Sequence, residues 1–225
     1  MNGASILCAD GTDTLSEEQI SNISRLLSEK RRRKAESYLR RTDRNNCIVA
    51  GFLLLIVLYE RYGVRYIPPV CEGIRGKPYF SDADFGYFNI SHSGCSVCCA
   101  AAETCIGVDI QTKVSSPESL FSIAMSQNEI AEICASSDPM MLSAVYWSRK
   151  EAYTKYLSSG IDEKIKQYDF SAFKEPCFSY RGLHFFTELN GDTALACCSA
   201  EKEYTLKWMH ITELTERYQT LLSGN

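Results

Sequence analysis

The sequence predicts an α+β protein built as two similar α+β halves, with a cleft between them. Three observations lead there. Helical segments followed by short apolar strands occur twice along the 225 residues. The strands are joined by connections too short for helical crossovers, so neighbours are expected to run antiparallel. The change of character falls near residues 104–116, which sets the halves at residues 1–110 and 111–225.

In chain order, Ser16 is an N-cap signal for "SEEQISNISRLLSEKRRRKAESYLR", whose Ile20, Ile23, Leu26 and Leu27 carry helical spacing as one helix or two. "RTDRNNCIVAGFLLLIVLYERYGV" reads as a buried helix stopped near Gly63. After a Pro- and Gly-rich stretch, "GYFNIS", "SVCCAAA" and "CIGVDIQ" read as the three strands of one small sheet. "SPESLFSIAMSQNEIAEICAS" reads as short helices, and 139–157 as a long helix. "YDFSAF", "CFSYRGLHFFTEL", "TALACCSA" and "YTLKWMHI" read as strands before a final helix, with Asn190-Gly191 a hairpin turn.

Composition narrows the function classes. A hydrophobic share of 45% and a charged share of 23% are those of an ordinary globular protein. The net charge of −4 argues against general nucleic-acid binding. The longest apolar run, 47–59, is shorter than the roughly 20 residues that span a bilayer, so a core helix and no membrane are expected. Met1 to Leu15 contains Asp10 and Asp13 and no sustained apolar core, which points to the cytoplasm. Among the eleven cysteines, Cys95 and Cys98 have C-x2-C spacing, but Cys197 and Cys198 are adjacent. Both stretches read as strands, so the cysteines are taken as reduced, small buried hydrophobes rather than a zinc site.

Four clusters carry chemistry. Lys30–Arg44 holds eight basic residues against Glu36 and Asp43, a local excess of +6, and arginine and lysine are natural phosphate partners. A solvated helix face is the plain alternative. In "GKPYF", Lys77 stands in a restricted loop. In "FNISHSG", Ser91 and His92 are neighbours on a strand and point to opposite faces, which argues for ligand binding rather than nucleophilic catalysis. In "GVDIQ", Asp109 and Gln111 share one face of a strand. With Glu151 of "WSRKEAYTKYL" they form an oxygen donor set of the kind Mg²⁺ takes together with phosphate.

In this order, "GKP", "FNISHSG", "GVDIQ" and "WSRKEAYTKYL" resemble the 4′-phosphopantetheinyl transferase superfamily, in its larger, single-chain branch, often called surfactin-synthetase-type. The resemblance runs from about Lys30 to Leu157. It implies two similar α+β halves with the active site in the cleft between them. It implies Mg²⁺-dependent transfer of phosphopantetheine from coenzyme A to a serine of an acyl or peptidyl carrier protein, releasing 3′,5′-ADP. The nucleophile then belongs to the partner.

By the same resemblance, Lys77, Ser91 and His92 match contacts to the phosphates of coenzyme A, and Lys30, Arg33 and Arg44 fall near its nucleotide end. Asp109 and Glu151 match acidic metal ligands, with Gln111 where many relatives have glutamate. Lys150 and Lys155 match phosphate-binding lysines, Lys155 being placed to offset charge during transfer. Glu129 falls where an acidic residue is proposed to deprotonate the acceptor serine. Asn45-Asn46 stand where an arginine often contacts the nucleotide. A monomer is expected. The alternative function is a catalytically weak relative that binds coenzyme A or carrier protein without turnover.

Overall fold

The computed structural model describes residues 3–218 and Leu221. The strands are β1 (Ala4–Asp10), β2 (Val70–Glu72), β3 (Pro78–Phe80), β4 (Tyr87–Ser93), β5 (Ser96–Ala102), β6 (Ile106–Thr112), β7 (Cys177–Tyr180), β8 (Leu183–Asn190), β9 (Thr193–Ser199) and β10 (Tyr204–His210). The helices are α1 (Glu17–Arg25), α2 (Glu29–Glu36), α3 (Arg41–Tyr62), α4 (Glu118–Phe121), α5 (Gln127–Ala135), α6 (Pro139–Leu157) and α7 (Ile211–Arg217).

Two four-stranded sheets form the two similar halves, in the orders β10-β1-β5-β4 and β6-β9-β8-β7. The last strand returns to the first sheet, where β10 runs parallel to β1 from Ala4↔Tyr204 to Asp10↔His210. The first strand, β1, has no counterpart among the sequence-based expectations.

The basic segment forms two helices. Ser16 and Gln19 close a capping box on α1, and Ser28 caps α2 by accepting from the Arg31 N–H. The apolar run forms α3, which ends at Gly63 with φ 70°, a left-handed cap that glycine adopts without strain. By length and composition α3 could cross a membrane, but 78% of its apolar window is buried in the fold. It packs with α1 and α2 against the first sheet, where Phe52 and Ile56 join Leu7, Val97 and Cys99.

A second cluster sets Tyr146, Ala152 and Tyr153 of α6 against Phe185, Ala196 and Cys198. A third lies between the sheets and holds Ile6, Cys8, Cys98, Val108, Leu195 and Cys197. Strand alternation sends each adjacent cysteine pair into two layers: Cys98 and Cys197 inward, Cys99 and Cys198 toward the helices. All four are buried, as small hydrophobes are.

Two expectations are corrected. The strands "GYFNIS", "SVCCAAA" and "CIGVDIQ" do not share a sheet. β5 has both edges filled, by β1 and β4, so β6 pairs instead with β9 in the second sheet. "YDFSAF" is not a strand, because its backbone is taken by side chains. Tyr168 O accepts from Lys150, and the Phe170 N–H donates to Glu129.

Candidate functional site

The site lies on the seam where β4 and β6, edge strands of different sheets, run side by side. No backbone ladder joins them; alternate side chains of β4 reach across instead. Asn89 Oδ1 accepts from the Val108 N–H at 2.9 Å, Ser91 Oγ donates to Asp109 Oδ1 at 2.5 Å, and Ser93 Oγ accepts from the Thr112 N–H at 3.1 Å. The period of two that sets Ser91 on this face turns His92 to the exposed one.

Helix α6 covers the seam. Its position depends on Gly107: a Cβ there would lie 2.0 Å from Ala152 O and 2.6 Å from Tyr156 N. That backbone-to-backbone approach presents Glu151 and Lys155, one turn apart, to Asp109. Lys155 Nζ lies 2.6 Å from Asp109 Oδ1, 2.7 Å from Ser91 Oγ and 3.6 Å from Glu151 Oε2. Asp109 is 3% exposed, and its Oδ2 is buried without a hydrogen-bond partner. An orphaned carboxylate oxygen is costly in a buried position.

Burial, then the neighbouring Asp109 charge, holds the Glu151 carboxyl above its ordinary value. Burial opposes charge on Lys155 as well, but Asp109 and Glu151 outweigh it and hold the ammonium above its ordinary value. Partial loss of hydration, then the Lys155 ammonium, lowers the His92 imidazole.

A cavity of about 350 Å³ opens over this cluster, walled by Arg31, Lys34 and Tyr38 on one side and by Ser91, His92, Gln111 and Glu151 on the other. A second hollow of about 320 Å³ shares Ile90, Glu151 and Lys155 with it and adds Arg75 and Lys77. The groove is therefore floored by carboxylates and walled by cations, an arrangement suited to a polyanion with a bound cation.

The fold thus gathers Ser91, His92, Asp109, Gln111, Glu151 and Lys155 around one cavity. Lys77 stands on the adjoining arm, its ammonium 2.5 Å from Lys155 O and 3.4 Å from Tyr156 O, at the carbonyl-rich end of α6.

Five residues lie elsewhere. Lys30 and Arg33 project from the outer face of α2, paired with Glu72 at 2.7 Å and Glu29 at 2.5 Å. Arg44 is held by both oxygens of Glu17 and lines a separate hollow with Arg25 and Arg32.

Lys150 and Glu129 depart furthest from expectation: both side chains are fully buried and paired at 2.9 Å. Lys150 also donates to Ile165 O and Tyr168 O, while Glu129 accepts from the Ser126 and Phe170 N–H groups. A Lys at position i and a Lys at i+5 lie on different faces of a helix, so α6 cannot present both lysines to one phosphate. Burial lowers the Lys150 ammonium, with Glu129 opposing that shift.

Asn45 and Asn46 are structural. Asn46 accepts from Thr12 Oγ1 at 2.6 Å and donates to Gly94 O at 2.8 Å, and Asn45 donates to Thr12 O.

Of the remaining cavity residues, Arg31 and Lys34 belong to the basic cluster without having been singled out in it, and Tyr38 was not read as a site residue. Their signal was present in the helical phase. Ala35, 1% exposed, is the apolar residue that α2 buries, and Arg31 and Tyr38 stand four before and three after it.

Among the described residues, no group of three or more His, Cys, Asp or Glu side chains gathers as a metal cage. The oxygen donors facing one another are Asp109, Glu151 and the Gln111 amide. Such a set fits a hard cation that keeps several of its waters.

Residues 105–210 match the family model described as the 4′-phosphopantetheinyl transferase superfamily. The chain is 28% identical over 155 residues to "4′-phosphopantetheinyl transferase Sfp" of Bacillus subtilis (strain 168), covering 65% of this chain and 67% of that one. It is 26% identical over 162 residues to "4′-phosphopantetheinyl transferase psf-1" of Bacillus pumilus, covering 69% and 68%. The solved holo-[acyl-carrier-protein] synthase of Thermotoga maritima aligns at 17% identity with a TM-score of 0.31, covering 44% of this chain and 63% of that one. At that score the fold description rests on the two sheets themselves. The sequence matches, over the second half of the chain in one case and about two thirds of it in the others, are all to 4′-phosphopantetheinyl transferases.

Proposed function

We propose that the protein transfers the 4′-phosphopantetheine group of coenzyme A to a serine of an apo acyl or peptidyl carrier protein, as a single-chain, surfactin-synthetase-type member of its superfamily. The observation that carries the reading is the convergence of Ser91, Asp109, Glu151 and Lys155, from β4, β6 and α6, beneath the cationic wall of α2.

Arg31 and Lys34 hold the phosphates of coenzyme A against that wall, and Lys77 closes the second arm. The carrier serine oxygen attacks the phosphorus next to the pantetheine. The P–O–P bridge breaks, and the electron pair leaves with 3′,5′-ADP. Lys155 offsets the charge that develops on the leaving phosphate. Glu151, beside Asp109 and Lys155 at the cavity, takes the serine proton. That role passes to it because Glu129 is enclosed with Lys150.

Asp109, Glu151 and Gln111 would hold Mg²⁺, which supplies charge neutralisation on the diphosphate when bound. Asp109 Oδ2, buried without a hydrogen-bond partner, supports this assignment.

One observation favours the alternative of a relative that binds without turnover: the third oxygen donor is a neutral amide, Gln111. Chromatography of the nucleotide product separates the two. Coenzyme A, Mg²⁺ and an apo carrier release 3′,5′-ADP under the transferase reading, and Asp109→Ala stops it. Retention of coenzyme A without 3′,5′-ADP favours the alternative, and wild-type release by Asp109→Ala removes Asp109 from the site.

A further inference from the structure

We infer that Lys155 is a resident counter-cation, and that a polyanion must draw it off before a divalent cation can bind tightly. The inference rests on the proposed use of the groove and adds to it a coupling between two ligands. The ammonium of Lys155 occupies the space between the two carboxylates, 2.6 Å from Asp109 Oδ1 and 3.6 Å from Glu151 Oε2. Ser91 Oγ fixes it from the third side at 2.7 Å. The other Asp109 oxygen, Oδ2, has no partner and is closed to solvent, so a cation cannot reach it while this arrangement holds.

The free groove is thus balanced by its own lysine and has little attraction for a second cation. The cavity wall opposite, with Arg31 and Lys34, offers an anion a seat within the same space. An anion seated there attracts the Lys155 ammonium, and the side chain that leaves Asp109 opens the carboxylates. Cation and anion then bind with positive coupling, each tightening the other by the same factor. Typical couplings run about 5–150-fold. The order of events follows: the polyanion arms the cation site.

The test measures Mn²⁺ binding by the loss of its free electron paramagnetic resonance signal, with no coenzyme A present. Lys155→Met is expected to bind Mn²⁺ about tenfold or more tightly than wild type, and Lys155→Arg, which keeps the cation, to match wild type. Equal or weaker binding by Lys155→Met overturns the inference, as does tightening in Lys155→Arg. A second measurement needs no substitution at all. Inorganic sulfate, a weak chelator of Mn²⁺, should tighten Mn²⁺ binding to the wild-type protein; an affinity unchanged by sulfate overturns the coupling.

The function has its own readout. A wild-type protein that releases no 3′,5′-ADP while Lys155→Met tightens Mn²⁺ loses the proposed activity and keeps this inference. One that releases 3′,5′-ADP while neither Lys155→Met nor sulfate changes Mn²⁺ binding keeps the activity and loses it.

Discussion

Replacing Lys150 by methionine separates two roles that the same lysine was open to in the sequence. Its ammonium is fully buried, 2.9 Å from Glu129 Oε2 and 3.1 Å from Ile165 O, with Tyr168 O as a further acceptor and Phe170 beside it. Methionine fills nearly the same volume, so the change removes charge with little loss of packing. Glu129 is left as a buried carboxylate with only the Ser126 and Phe170 N–H groups to compensate it.

Removing one partner of a buried pair costs about 3–5 kcal/mol. The orphaned carbonyls add about 1–3 kcal/mol each at most, and less than additively. Against the roughly 5–15 kcal/mol of a typical native state, that is a large share. Urea unfolding followed by tryptophan fluorescence reads the loss as a lower midpoint at unchanged slope. Lys150→Met with Glu129→Gln should recover part of it, because no uncompensated charge remains. A loss below about 1 kcal/mol, accompanied by weakened coenzyme A binding, would refute the structural role and return Lys150 to the phosphates.

Three further outcomes are expected. Gly107→Ala places a methyl within 2.0 Å of backbone in α6, so the helix must shift. Stability from urea unfolding should fall by about 1–3 kcal/mol, and the transfer rate by a larger factor than the residual folding explains. Arg31→Ala should weaken coenzyme A binding about tenfold, the scale of a lost charge-assisted hydrogen bond. Arg33→Ala, whose exposed pair with Glu29 is worth little, should stay within about twofold by calorimetry. Glu151 holds its proton above the ordinary 4.5, so the folded state binds a proton that the unfolded chain has released. Stability contributed by that proton is lost as pH rises from about 4.5 through the folded value. Glu151→Gln should therefore gain on wild type across that interval in urea midpoints, and a difference constant with pH contradicts the assignment.

Much of the candidate site's cavity lining was legible because it is written in local spacing. The strand period put Ser91 and His92 on opposite faces and Asp109 with Gln111 on one, and the structure holds all four around the cavity. The helix ends were legible for the same reason: Ser16, Gly63 and Pro139 are local signals.

What escaped depends on contacts distant in sequence. Nothing in "CIGVDIQ" says that β5 has both edges taken, and nothing in "ASILCAD" announces β1 until β10 and β5 pair with it. A lysine enclosed with a glutamate has the same local spacing as one facing solvent, so Lys150 read as a phosphate ligand until Glu129, 21 residues earlier, was found beneath it. The basic helix was read as a cluster, and only burial of Ala35 turns Arg31 toward the cavity, with the exposed Lys34 at its rim and Lys30 and Arg33 pointing outward.

The central claim is that the groove over Asp109, Glu151 and Lys155 moves phosphopantetheine onto a carrier serine. Intact-mass spectrometry of apo acyl and apo peptidyl carrier proteins, incubated with the protein, Mg²⁺ and coenzyme A, tests it most directly. The account predicts that at least one carrier gains the mass of a single phosphopantetheine group, and that Glu151→Ala, folded by circular dichroism, leaves the carriers unchanged. Carriers that stay at their apo mass with wild-type protein and saturating coenzyme A would contradict it.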